Sequence, residues 1–150
     1  MNKKNGFQRA AVVLVLGLAA AAAAHGEDIG RVKVAKGDVS IERAGARMAA
    51  AVGAGVQTSD VVVTGSDGSI GITMNDDSLL SAGANSRLTL DQYVHDPSTN
   101  QGRFRVSLQR GTLAVVSGRI AKQAPDAMTV RTPSAVLGVR GTEFAVRVGD

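Results

Sequence analysis

The sequence predicts a single all-β domain of about ten short strands, folded as a sandwich or β-roll and closed by a C-terminal hairpin. Three observations carry this. Short apolar–polar alternations recur about every ten residues between clusters of Gly, Asp, Asn and Ser, with no helical period between them. The 18 glycines of the 150-residue chain suit turns and bulges and would weaken helices. Finally, Val130–Val148, reading VRTPSAVLGVRGTEFAVRV, holds two alternating runs around a break at Gly141.

In chain order, Arg31–Ala35 and Val39–Arg43 flank Lys36-Gly37-Asp38, which predicts a hairpin. Gly45–Gly55 is rich in alanine but bounded by glycines, and reads as a loop with a short strand. Asp60–Thr64 and Ser69–Met74 flank Gly65-Ser66-Asp67-Gly68, the clearest turn signal in the chain. Asn75-Asp76-Asp77-Ser78 turns the chain again before Leu79-Leu80. Gly83-Ala84-Asn85-Ser86 then leads into Arg87–Tyr93, with Leu88 and Leu90 pointing inward. Phe104, Val106 and Leu108 alternate with Arg103, Arg105, Ser107 and Gln109, and Arg110-Gly111 leads into Thr112–Val116. His95–Gly102 and Gly118–Asp126 read as longer loops. Pro133 cannot donate to a ladder and marks a strand start or an edge. Beyond it, Ala135, Leu137 and Val139 form one face, and Phe144, Val146 and Val148 another.

Residues 1–24 stand apart. Lys3, Lys4 and Arg9 precede an uninterrupted run of Ala, Val, Leu and Gly over Ala10–Ala24, ending in a small-x-small site at Ala22-Ala23-Ala24. That is the pattern of a cleavable signal peptide. A membrane anchor needs roughly 20 apolar residues, whereas this run has 15. Export to the periplasm or medium is therefore expected, leaving residues 25–150 as the folded domain with no stable membrane span. Losing three of the 17 basic residues leaves 14 against 13 acidic ones, a net charge of +1. Nucleic-acid binding, which needs a basic surplus on one face, is not expected. The chain has no cysteine, so disulfides play no part. Beyond the leader the aromatic residues are Tyr93, Phe104 and Phe144, which leaves a core of Val, Ile, Leu, Met and Ala.

Several blocks together resemble the FecR domain, a periplasmic module of ferric-citrate-type signalling regulators. They are Gly37-Asp38-Val39; Val61–Thr64 with Asp67-Gly68; Asn75-Asp76-Asp77-Ser78 before Leu79; Asn85-Ser86-Arg87-Leu88; and the Arg110-Gly111 step. The most specific is Arg131-Thr132-Pro133 with Gly138, Arg140, Gly141, Thr142, Glu143 and Phe144. The similarity spans about Gly30 to Val148. It implies an extracytoplasmic β-rich module that acts through protein contacts without catalysis, with an unidentified protein partner in the cell envelope. In the regulators that carry it, the domain follows a cytoplasmic anti-sigma segment and a membrane helix. Here nine residues precede the apolar run and the chain stops at Asp150. A free-standing exported module is therefore expected, and anti-sigma activity is not carried over. The alternative is a structural or adhesion-type protein of the cell envelope.

The chemistry-bearing side chains have plainer readings beside the functional ones. Arg140 and Glu143 bracket the Gly141 break, either as a charged contact for a partner or as an internal salt bridge. Arg103, Arg105 and nearby Arg110 make a basic stripe, either for an acidic partner or lipid headgroup or as a solvated face that blunts a sheet edge. Asp67, Asp76 and Asp77 lack the spacing of known calcium loops, and turn aspartates commonly bond their own backbone. His95 beside Asp96 belongs to no nucleophile motif, and one histidine outside the leader junction cannot build a zinc site. No cofactor, metal or catalytic residue is expected.

Overall fold

The computed structural model describes residues 26–124, 126–139 and 143–149. Among them are twelve strands: β1 (Gly30–Lys36), β2 (Val39–Arg43), β3 (Ala46–Ala49), β4 (Gly55–Val56), β5 (Val61–Thr64), β6 (Ser69–Met74), β7 (Leu79–Ala82), β8 (Arg87–His95), β9 (Gly102–Val116), β10 (Met128–Arg131), β11 (Val136–Gly138) and β12 (Glu143–Val148). They form one curled sheet, antiparallel throughout except where β10 runs parallel to β9. The all-β fold is as the sequence predicts, with a few more strands.

The sheet has two halves. One runs β4-β1-β6-β7-β9-β12 and the other β3-β2-β5-β8-β9-β10-β11. The fifteen-residue β9 belongs to both. Its first part, Gly102–Arg110, pairs with β8, and its last part, Gly111–Val116, lies between β7 and β12. The bend falls at Gly111, whose φ is +90°. A Cβ there would collide with Oγ and Cα of Ser86, so only glycine fits.

Alternation then fills one shared core. Val32, Ile70, Ile72, Met74, Leu80, Leu113 and Val115 enter it from the first half, and Ile41, Val62, Leu88, Leu90, Phe104, Val106, Leu108, Met128 and Val130 from the second. Each such side chain contributes about 1.5–3 kcal/mol by leaving water. The inward positions expected for Leu88, Leu90, Phe104, Val106 and Leu108 are the observed ones.

Several expectations are corrected. Lys36-Gly37-Asp38 does not close a hairpin: β1 and β2 lie in opposite halves, and the turn carries the chain over the core. The Gly65–Gly68 turn does the same between β5 and β6. These turns stack on one another, with Gly65 N donating to Asp38 O at 2.8 Å and Asn85 N to Gly65 O at 3.0 Å. Gly118–Asp126 is not wholly loop, since Arg119–Gln123 forms the short helix α1 with Ile120 and Ala121 buried.

The two C-terminal runs do not pair with each other among the described residues. β11 closes a hairpin with β10 through Thr132–Ala135, while β12 lays six residues along β9. That longer ladder packs Phe144, Val146 and Val148 against the core, which a hairpin with the three-residue β11 would not achieve. β11 is left as an outer strand, and of Ala135, Leu137 and Val139 only Val139 is buried.

Candidate functional site

The family-like motifs fall first at corners of the sheet. Thr64 and Ser86, both buried, tie three turns together. Ser86 N donates to Thr64 Oγ1 at 2.8 Å, and Thr64 Oγ1 donates to Gly83 O at 2.6 Å. Ser86 Oγ accepts from Thr112 N at 3.0 Å, just beyond the Arg110-Gly111 bend. Asp38, Gly65, Asn85 and Gly111 thus mark one continuous edge where the chain passes between halves. Buried hydroxyls engaged in this way fix the turns relative to one another.

Asn75-Asp76-Asp77-Ser78 serves a second corner. The fully buried carboxylate of Asp76 accepts from Ser78 N at 3.2 Å, Ser78 Oγ at 2.8 Å and Ile120 N at 3.2 Å. Its carbonyl accepts from Arg119 N at 2.8 Å, so this turn holds the start of α1. Asp77 pairs with Arg119 at 2.9 Å on the surface. Asp67 Oδ1 accepts from Asp38 N at 3.1 Å. All three turn aspartates raised as calcium candidates are therefore engaged within the chain.

The C-terminal motif is divided between two strands flanking β9. Arg131 ends β10 opposite Ser107 and is exposed. Thr132 shapes the following turn, with its Oγ1 accepting from Ala135 N at 3.1 Å and its N donating to Ala135 O at 2.8 Å. Pro133 sits within that turn, between strands rather than at a strand start. Gly138 ends β11 with open space where a side chain would project. Glu143 and Phe144 begin β12 opposite Val116 and Val115, with Glu143 exposed and Phe144 half-buried. Arg140, Gly141 and Thr142 lie outside the described residues, as does any ion pair of Arg140 with Glu143. Thr132 and Pro133 border an 800 Å³ groove whose other wall is Val146, Arg147 and Val148. The described residues of the motif therefore frame one end of the sheet and gather into no single pocket.

Arg103 and Arg105 lie on the outer face of β9, as alternation predicts. What the sequence does not display is that parallel pairing sets Arg131 beside them, with Arg105 opposite Thr129 and Ser107 opposite Arg131. His95 lies with Nε2 3.4 Å from Asn100 Oδ1. Ser98 Oγ donates directly to Asp96 at 2.6 Å, which holds the Asp96 carboxyl below its usual value. In this loop the imidazole does not stand between hydroxyl and carboxylate, as a triad would require.

The sequence model of a family described as FecR protein matches residues 60–150 of this chain. The chain belongs to this family. The FecR match takes in the Thr64–Ser86 and Asp76 corners, the Gly111 bend and the C-terminal motif. Gly37-Asp38-Val39 and strands β1–β4 lie before it, though they complete the same FecR-containing sheet and share its core. No curated protein and no solved structure matches the chain.

Proposed function

We propose that the chain is an exported, non-catalytic protein-interaction module acting in envelope signalling or regulation. The FecR family match over residues 60–150 carries this reading. The motif's arrangement supports it: much of its chemistry is spent in corners, and its C-terminal part frames an exposed outer strand and groove. Outer strands of this kind bind partners through main-chain hydrogen bonds, with alternate side chains giving selectivity. The leader pattern at residues 1–24 supports export.

The test combines processing and consequence. N-terminal sequencing of the protein from envelope fractions should find the leader removed, and a chain beginning at Met1 would refute export. Deletion of the gene should alter transcription of a defined set of genes, and restoring the wild-type copy should reverse this. Self-association at the cell surface with an unaltered transcript profile would instead favour the structural or adhesion-type reading.

A further inference from the structure

We propose that the β11 edge receives an extended acidic segment of a partner protein, with one carboxylate lodged between Arg105 and Arg131. This rests on the reading of the chain as an interaction module and specifies the chemistry of its partner. Three features coincide at this place. First, β11 is the outer strand of its half and pairs only with β10 among the described strands, leaving its other side for an added strand. Second, Arg103, Arg105 and Arg131 lie exposed on the outer face beside it, and none of them has a carboxylate partner among the described residues. Third, a 620 Å³ depression lies between Arg105, Thr129, Arg131 and Val136.

The register says which residue goes where. Thr129 stands opposite Gly138, and Arg131 opposite Val136. A residue added opposite Gly138 lies about 10 Å, two strand spacings, from Thr129 and about 14 Å, three spacings, from Arg105. No side chain at Gly138 obstructs that path, and an extended Glu and an extended Arg together span it. Two residues along on the same face, the added strand meets Val136, which is 63% exposed and calls for an apolar side chain. The fitting pattern is thus a carboxylate and an apolar residue separated by one position. Val136 favours a peptide over a lipid headgroup or free phosphate, neither of which would use an apolar contact beside the arginines. Asp91 also borders the depression and accepts the Ser107 hydroxyl. Its charge opposes an incoming carboxylate, but Arg103, Arg105 and Arg131 outnumber it. Guanidinium groups bind carboxylates by paired, charge-assisted hydrogen bonds.

The probe is a labelled peptide carrying Val-Thr-Glu-Thr-Val, whose palindromic order serves either strand direction, titrated by fluorescence anisotropy against the purified protein. The peptide with Lys in place of Glu should bind at least about tenfold more weakly. Arg105→Ser and Arg131→Ser should each weaken binding several-fold and flatten its salt dependence, while Asp91→Asn should strengthen it. Gly138→Val, whose Cβ has no atom within 4 Å among the described residues, should keep the melting temperature and lose binding. Equal affinity for the Glu and Lys peptides, or unchanged binding by Gly138→Val, would overturn the proposal. So would binding to phosphatidylglycerol vesicles that both arginine substitutions abolish, with no peptide binding; this would assign the arginines to lipid. An envelope partner cross-linked equally well by wild type and Arg105→Ser/Arg131→Ser would sink this site but leave the interaction-module reading standing.

Discussion

Arg43 clamps the buried carboxylate of Asp60, with Nε 2.8 Å from Oδ1 and a terminal nitrogen 2.7 Å from Oδ2. The same carboxylate accepts from Gln57 N at 2.8 Å, and Arg43 also donates to Gly55 O at 3.2 Å. β2, β4 and the entry to β5 are thereby joined at one point. The hydrogen bond to Asp60 raises the Arg43 guanidinium above its ordinary value, against the opposing effect of burial.

Asp60→Ala should therefore cost about 3–5 kcal/mol, since it leaves Arg43 and the Gln57 amide without their acceptor. Asp60→Asn should cost less, because it retains an acceptor for that amide. Urea denaturation followed by circular dichroism reads both, and an unchanged midpoint for Asp60→Ala would contradict the clamp.

Gly111 and Gly138 make a contrasting pair. Gly111→Ala places a Cβ against Ser86 at φ +90° and should cost about 3 kcal/mol or more. Gly138→Ala meets nothing within 4 Å and should shift stability by no more than about 0.5 kcal/mol. If the two substitutions gave equal melting temperatures, the bend in β9 would not depend on glycine.

Asp76 is expected to govern the local stability of α1. Asp76→Ala removes the acceptor of Ser78 N, Ser78 Oγ and Ile120 N and should cost about 3 kcal/mol. It should also speed tryptic cleavage after Arg119 and Lys122 by opening this segment. Asp77→Ala breaks the exposed pair with Arg119 and places alanine at a φ of +69°, and should cost about 1–2 kcal/mol, less than Asp76→Ala. Equal cleavage rates for the two variants would remove Asp76 from this role.

How much was legible in the sequence follows from the range of each interaction. Alternation is local, so the inward faces of Leu88–Leu90 and Phe104–Leu108 and the outward arginines 103 and 105 could be read directly. Turn chemistry is local too, but Gly37-Asp38 looks the same whether the chain folds back beside itself or crosses over the core. Only the inter-turn bonds, such as Gly65 N to Asp38 O, separate the two. The C-terminal runs misled because β12 gains six pairings on β9, a strand some thirty residues away. Asp60 and Asp76 gave no signal as buried residues, since aspartate near turns normally reads as exposed. Arg131 joins Arg105 only through the parallel register of β10 on β9, which no local pattern encodes.

Tyr93 should give the protein an alkaline limb in its stability. Its ring packs edge-on against Phe104, with centroids 5.0 Å apart, and its hydroxyl is buried without a hydrogen-bond partner among the described residues. Burial first, and then the negative charge of Asp76, push the phenol well above its ordinary value. The folded state thus holds this proton more tightly than the unfolded chain, whose tyrosine titrates near ~10. The stabilisation is whole below that pH and is lost progressively as pH climbs toward the folded value. Because the chain has one tyrosine, absorbance at the tyrosinate band follows this group alone. In the native protein that titration should begin well above pH 10, and in denaturant it should return to about 10. Tyr93→Phe keeps the packing, removes the unpaired hydroxyl, and should match or exceed wild-type stability at pH 7. Between pH 10 and 11 the variant should lose less stability than wild type. Parallel curves for the two proteins over that interval would show that the phenol is not held neutral by the fold.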